Sequence, residues 1–488
     1  MPYNHGVRVL ENPTTVAAPV NGTAGLQVVF GTAPVNLAED PYAATNRPIL
    51  ANTLAEAAAA VGYVNNYDFK AYTLCQSIDM TFQKVGVAPI VLINVLDPTQ
   101  HKVAYAEAEF TVTDGQVTVP VFGLLKDKLV VKNSTGETPA VLDPDDDYVV
   151  TFDDDGYAVV TLVDPTGITK LKISGEKIDP TQISENDIIG GYNSSTGVEN
   201  GLEVLRQVFP LLQLTPGLIV APYWSKFPNV AAAIAAKCEE INGVFRCEAV
   251  VDLDTAAGKA RKYSDVGTVK EASAMVSPHL DVEWPCVKVG EKIYHASALK
   301  AAVTAYTDAM NDDVPNLSPS NKAAAISGLC LEDGTEVILD ETRANVVNSF
   351  GVCTFNNFAG WTTWGNNTAA YPGSTDPKDR WFCCRRFFSW WGNSFILTYH
   401  QRVDDPNDPR MIEAIVDDEN VKGNSLVAQG KCAGAVIEFR AEDDTVNDII
   451  GGKQQYYQRL APYTPAEDIV DVLEFDPALL QAAFEGGE

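Results

Sequence analysis

Histidines, thiols and clustered carboxylates are the groups with which this chain could do chemistry, and their spacing assembles no working set. The five histidines are His5, His101, His279, His295 and His400. None stands in HExxH or HxH spacing, so no pair is set to share a metal ion. A serine triad needs a base and an orienting carboxylate around an exposed nucleophile. No GxSxG elbow marks such a serine, although His279 and His295 share one stretch of alternating helix and strand and leave a triad open. No GxxxxGK[ST] or GxGxxG loop is present to cradle phosphate, and Gly451-Gly452-Lys453 reads as a turn. The nine cysteines, Cys75, Cys238, Cys247, Cys286, Cys330, Cys353, Cys383, Cys384 and Cys432, form no CxxC pair. The vicinal Cys383-Cys384 suits zinc poorly, so the expectation is buried, reduced thiols. Seven aspartates and no cation fall between Val141 and Asp155. An EF-hand loop places Gly sixth and a bidentate Glu twelfth; counted from Asp143, those places hold Tyr148 and Asp154. Solvated hairpin ends are the expectation there, with weak calcium binding as the alternative. Five of the seven tryptophans (Trp361, Trp364, Trp381, Trp390 and Trp391) lie within 31 residues. They read as core and interface anchors, or alternatively as a glycan platform. Arg380, Arg385 and Arg386, set among these rings, are expected in structural or subunit-contact ion pairs.

The chain has 488 residues, long enough for about three domains. Its 35 basic and 65 acidic residues leave a net charge of −30. That balance argues against a general nucleic-acid binder and against an anionic membrane surface. It favours solubility or a basic protein partner. Hydrophobic residues make up 46% and charged residues 20%, values of a packed protein. The opening MPYNHGVRVLENPTT is no secretory signal. The longest apolar runs, such as Leu218 to Trp224, fall short of the roughly 20 residues of a membrane span. A soluble, unexported chain is expected.

The elements divide into four parts. Residues 1–22 read as an extended amino-terminal arm. Residues 23–98 with 197–350 read as one α/β domain: a strand at Leu26 to Phe30, a helix at 51–61 with Leu54, Ala58 and Val61 on one face, and a buried strand within Val87 to Leu96. The same part holds a strand at Leu218 to Ala221, a helix at 229–242 and a strand at Cys247 to Leu253. That unit predicts parallel pairing with a right-handed crossover. A further helix at 296–310 is expected, with Leu299, Val303 and Tyr306 on one face. Residues 99–196 read as an all-β insertion like a small sandwich, with strands at 109–113, 116–121, 148–152 and 157–163 and a hairpin turn at Asp153 to Gly156. Residues 351–488 follow, with strands at Phe395 to Val403, Ala435 to Arg440, Gln454 to Leu460 and Ile469 to Phe475, and a helix near Pro409 to Val421. From Pro462 onward there are seven acidic residues and no basic one.

At both ends the wording resembles contractile-tail sheath proteins. WGNNTAAYPG (364–373) and RWFCCRRFFSWWGNSFILTYHQRVDDPNDPRMIEAIV (380–416) are similar to a signature of that family, with Trp364, Asn366, Arg385, Arg386, Asn393, Asp404 and Arg410 as its structural residues here. GAVIEF (434–439), IVDVLEFD (469–476), HGVRVLENPT (5–14) and VVFGTAPVN (28–36) resemble its terminal strands, arm and first strand. The resemblance is loose over 99–196 and 254–350. It implies an α/β and α+β multidomain fold: a discontinuous subtilisin-like sheath domain without protease activity, an outward-facing β insertion, a carboxyl-terminal α+β sheath domain facing an inner tube, and extended arms at both ends. It also implies strand exchange between subunits through Tyr3, Val7, Val9 and Leu10 of one arm and Ile469, Val470, Val472, Leu473 and Phe475 of the other. Stacked six-subunit rings would surround an inner tail tube, with baseplate and tail terminator proteins as further partners. No cofactor, metal, nucleic acid or membrane insertion is implied. Contraction from a metastable lattice would drive the tube through a host cell envelope for genome ejection, in a virion tail assembled in a bacterial cytoplasm.

Three readings of function stand beside one another. The first is this sheath subunit, of a phage or of a phage-tail-like bacteriocin or other contractile injection system. The second is a subtilisin-shaped hydrolase using His279 or His295. The third is a binding module, with the aromatic stretch 361–391 taking glycans and the Asp run taking calcium.

Overall fold

The computed structural model describes residues 23–65, 69–136, 139–440 and 446–485. The expected arm 1–22, with Tyr3, Val7, Val9 and Leu10, lies outside the described residues.

The centre is a six-stranded sheet in the order Leu280–Glu283, Glu248–Asp252, Leu218–Val220, Gln27–Gly31, Ile90–Asn94 and Ile49–Ala51. The first five strands are mutually parallel, and Ile49–Ala51 closes the edge antiparallel. Every residue of the five parallel strands is buried. That is why their sequences are nearly continuous apolar runs rather than alternating ones. Val28, Val91, Ile219 and Val251 enter one core, while Val29, Leu92, Val220 and Val250 enter the core on the opposite face. The parallel pairing expected between 218–221 and 247–253 is present, joined through the helix Pro228–Glu239. The helix Leu54–Val61 begins on Thr53, whose side chain accepts from the Glu56 amide. It buries Ala57 and Val61, with Leu54 and Ala58 half-buried.

Residues 102–178 fold into two antiparallel sheets around a separate core of Val119, Val131, Tyr148, Val160, Leu171 and Ile173. One sheet orders Lys102–Thr111, Lys170–Ile178, Val130–Asn133 and Ala140–Val141; the other orders Gln116–Phe122, Tyr157–Leu162 and Tyr148–Phe152. The first sheet is laced across its strands by Lys132–Glu107 (2.6 Å) and Lys170–Glu109 (2.7 Å), a charged lattice that discourages adventitious pairing.

Three expectations are corrected. The stretch Phe395 to Val403 is not a strand. It completes an 18-residue helix, Phe382–Tyr399, and then a short 3-10 turn, His400–Arg402. The aromatic and β-branched composition suggested a strand, but helical spacing stacks Phe395 on Tyr399 (4.7 Å between centroids) and sets Phe387, Trp390 and Trp391 in one core. Residues 469–475 form no strand, because no ladder partner lies beside them among the described residues. Tyr306 points to solvent and does not share the buried face of Leu299 and Val303.

Helix Ala296–Ala309 packs on the sheet along almost its whole length and carries a fully buried lysine, Lys300. Its ammonium lies 2.9 Å from Glu283 Oε1 and 3.3 Å from Asp281 Oδ2. Cys353 and Asp252 complete the titratable surroundings. Burial, with the Asp281 charge adding to it, pushes the Glu283 carboxyl up to about 8 against the attraction of Lys300. The folded chain therefore holds a proton that the unfolded chain releases above its ordinary value of 4.5. The resulting stabilisation is full below that ordinary value and is lost as pH rises to the folded one. Glu283→Gln removes this dependence. In urea unfolding, the advantage of the variant over the parent should widen steadily from about pH 5 to about pH 8; a gap constant with pH would refute the buried proton.

Candidate assembly site

In open α/β folds, ligands bind at the carboxyl ends of parallel strands. Here that region is filled by side chains bonded to one another. Asp252 accepts from Ser225 Oγ (3.1 Å), Ser297 Oγ (2.7 Å) and the Ser297 amide (2.9 Å). The His295 ring faces Gln76 Oε1 at 3.2 Å, and burial brings its imidazole down to about 4, so it is neutral. His279 Nδ1 lies against Cys247 O (3.1 Å) and Glu248 Oε1 (3.4 Å). The recorded ring-nitrogen contacts of these two histidines lead to Gln76, Cys247 and Glu248, not to a serine, so no nucleophile–base pair is assembled. Among the described residues the one trio of metal-ligating groups is Asp281, Glu283 and Cys353, and Lys300 already serves as its counter-ion. The Asp143–Asp155 run forms no such trio; Asp147 and Asp153 are turned onto backbone amides of their own loops. All nine cysteines are buried and none is disulfide-bonded. No described helix is long and apolar enough to cross a membrane.

The polar groups instead converge on the first turns of the Phe382–Tyr399 helix. Arg386 donates to both carboxylate oxygens of Asp308, on the Ala296–Ala309 helix, and Nη2 also donates to Ala24 O at 2.9 Å. Arg386 and Asp308 are each 1% exposed. Three residues along, Ser389 Oγ donates to Glu248 Oε1 (2.6 Å). After four more, Asn393 accepts from the Arg246 amide (3.0 Å) and donates to its carbonyl (2.6 Å). Arg385 reaches Asp379 (3.3 Å) and approaches Glu248 (4.0 Å). One stripe of the helix is thus bolted to the rim of the central sheet. Ala24 belongs to the first described residues after position 22, so this stripe also fixes the root of the amino-terminal segment. Half-buried Asp313 strengthens that hold through the amides of Ala24 and Gly25, and burial raises its carboxyl to about 7.

The same turns hold the other end of the chain. The hairpin Cys432–Phe439 with Tyr456–Pro462 lies on the helix Pro409–Ala428. Asn420 bonds both the amide and the carbonyl of Ile437 (3.1 Å each), and the absent side chain of Gly423 admits Ala435 O. The helix thereby lies along Cys432–Phe439, and no third described strand pairs with Tyr456–Pro462. Beyond the hairpin, Tyr463 O accepts from Cys384 Sγ (3.9 Å), and Glu467 pairs with Arg380 (2.7 Å). After Glu467 the chain leaves the body. Ile469, Val470, Val472, Leu473 and Phe475 are 73–88% exposed. A terminal helix, Pro477–Glu485, adds exposed Leu479, Leu480 and Phe484. Soluble monomers rarely present so many large apolar side chains together without a partner.

The structure therefore brings Arg385, Arg386 and Asn393 together at the joint. Trp364 and Asn366 lie apart, on a groove of about 690 Å³ that residues Pro465–Asp468 also line. Trp364 donates to Asn345 (3.5 Å), and Asn366 accepts from Ser318. Asp404 is exposed in the turn before the Pro409–Ala428 helix, and Arg410 is exposed in the first turn of that helix. Sequence reasoning missed Asp308, Glu248, Ser389 and Glu467. The spacing of Arg385, Ser389 and Asn393 in an otherwise aromatic helix was a readable polar stripe. Nothing in the local sequence announces the partners, which lie 78 to 362 positions away.

The geometry thus joins an α/β core, two segments rooted near the start of one helix and an exposed apolar stretch at 469–475. No family model matches the chain. It is 24% identical over 465 residues to the tail sheath protein of Burkholderia phage BcepMu, covering 92% of each. Its fold is similar to a chain of the anti-feeding prophage baseplate (15% identity, TM-score 0.57, 98% of this chain and 100% of that one). It is equally similar to a chain of the contracted sheath complex of PVC, an extracellular contractile injection system (16%, TM-score 0.57, 98% and 99%). The resemblance to contractile sheath proteins is borne out, with the mixed α/β fold they share.

The joint carries its own test. Arg386→Ala or Asp308→Ala leaves a buried charge unanswered and should cost about 3–5 kcal/mol in urea unfolding. The double change Arg386→Met with Asp308→Leu should recover most of that loss. Single variants within about 1 kcal/mol of the parent would show that the pair does not hold the joint.

Proposed function

We propose that this chain is the structural subunit of a contractile tail sheath. It polymerises as stacked six-subunit rings around an inner tube, and contraction of the lattice drives the tube through a cell envelope. The observation that carries the reading is the bare segment 469–475 on a fold similar along its length to sheath proteins. In this reading residues 3–11 of one copy pair with the carboxyl-terminal strands of a neighbour, including its 469–475 segment. The strand-exchange residues are Tyr3, Val7, Val9, Leu10, Ile469, Val470, Val472, Leu473 and Phe475. Such head-to-tail contacts do not close on themselves and so build a tube.

The sequence boundaries carry over as parts of this proposal: a subtilisin-like sheath domain of 23–98 and 197–350, an outward-facing insertion of 99–196, and a carboxyl-terminal domain of 351–488 facing the tube. Support for the insertion is its separate core and charged face. The partners are further copies of the chain, an inner tube protein, and baseplate and terminator proteins, in a virion tail assembled in the host cytoplasm. A phage-tail-like bacteriocin or another injection system is the second reading, and the likeness to chains of the anti-feeding prophage and PVC particles favours it to the same degree.

Negative-stain electron microscopy of the purified chain tests this. The full chain should give long hollow striated tubes. Chains lacking residues 1–22 or residues 463–488 should remain folded monomers. Tubes from either truncated chain would remove the strand-exchange mechanism. An absence of tubes from the full chain, even with tube protein added, would count against the sheath reading.

A further inference from the structure

The two chain ends are fixed to the same helix start with unequal strength. At the amino-terminal root, Ala24 is held by a fully buried guanidinium that is also bonded to Asp308. At the carboxyl-terminal root, the last attachment before the bare segment is a single ion pair near the surface. Arg380 Nη2 lies 2.7 Å from Glu467 Oε2, with the two side chains 24% and 38% exposed. Arg380 itself is rigid. Its Nε donates to Asn367 Oδ1 (2.9 Å), and its guanidinium stacks over Trp381 (4.0 Å) and Tyr371 (4.6 Å). Glu467 sits on a strap, Pro465–Asp468, that runs over the 690 Å³ groove rather than over a packed core. One residue after the hairpin, Tyr463 is tied separately through Cys384.

We infer that the Arg380–Glu467 pair is a releasable clamp that sets the free length of the carboxyl-terminal arm. The inference rests on the sheath reading for its purpose, since an arm shared between copies must reach across a changing gap. Opening the clamp frees residues 464–468 while Tyr463 stays tied, so the end of the strap can range up to about 17 Å from Tyr463 at an extended-chain rise of about 3.4 Å per residue. An exposed ion pair is weak and sensitive to salt, whereas a swapped strand is held by a row of backbone hydrogen bonds. Under tension the strap lifts before the strand unzips. The deeply buried Arg386 joint holds at the opposite root, so the added length appears on the carboxyl side alone.

The nine native cysteines are buried, so one new surface cysteine takes a spin label selectively. In the isolated full-length chain, a nitroxide on Ala466→Cys should report an immobile strap. Glu467→Gln and Arg380→Gln should each shorten its rotational correlation time at least threefold. Salt at 1 M should do the same to the parent clamp, and the swap Arg380→Glu with Glu467→Arg should restore immobility. A label on Ala461→Cys, inside the hairpin, should not respond. Equal mobility with and without Glu467→Gln would overturn the clamp. So would loosening at 461 in step with 466, because the strand would then be the weaker link. The labels read the isolated chain, so a failure of the full chain to form tubes would strike the sheath reading and leave this result standing.

Discussion

A buried guanidinium that cannot lose its proton is the constraint on which the architecture depends. Arg386 sits in the interior with essentially no access to water, and its charge has to be answered wherever it is placed. Asp308 supplies the opposite charge and Ala24 a carbonyl, so three segments remote in sequence have one place to meet. Once Arg386 is set, helical geometry delivers Ser389 to Glu248 and Asn393 to Arg246. It also brings Cys384 to Tyr463. The orientation of the Phe382–Tyr399 helix on the central sheet and the exit points of the chain ends are consequences of that single placement.

The interior uses cations elsewhere in the same manner. Lys270 donates to three backbone carbonyls, of Phe350, Ala369 and Tyr371, at 2.6–2.7 Å, and so gathers the loop that carries the WGNNTAAYPG stretch. Burial pulls its ammonium down to about 8. Lys300 neutralises the acids at the end of the central sheet, and Lys422 is stacked on Trp391 (4.5 Å) and bonded to Ser394 (2.9 Å). These groups resemble the parts of an active site in burial and perturbation. Here each cation is held by protein groups, and it fixes the geometry of the segments it joins.

How far the sequence was legible follows from the range of the forces involved. The parallel strands at 27–31, 90–94, 218–220 and 248–252 were readable because burial on both faces writes itself into a short apolar run. The hairpin at 148–162 was readable because its turn residues are local. The Phe395–Tyr399 stretch misled because β-branched and aromatic residues suit either element, and the packing of Trp390 and Trp391 decided for helix. Residues 469–475 have the composition of a strand but pair with no strand among the described residues, so their pattern alone misled. The aromatic and arginine residues of 380–393 were marked by their wording, but their roles were not. A polar stripe says that partners exist, and only the fold says which.

The charge balance adds a last constraint on how copies come together. Among the described residues seven cations and seven carboxylates are buried. Equal numbers of basic and acidic side chains are thus buried, while the chain as a whole carries a net charge of −30. Copies of such a chain repel one another at separations beyond the screening length of about 8 Å at physiological salt. Attraction has to be short-ranged and directional to overcome that repulsion, and an apolar segment that pairs through its backbone meets both conditions. The exposed segment also carries Asp471 and Glu474, while Arg459 and Arg440 lie on the hairpin, where they share Glu438. Any contact that the segment makes has to set its own acid against a cation.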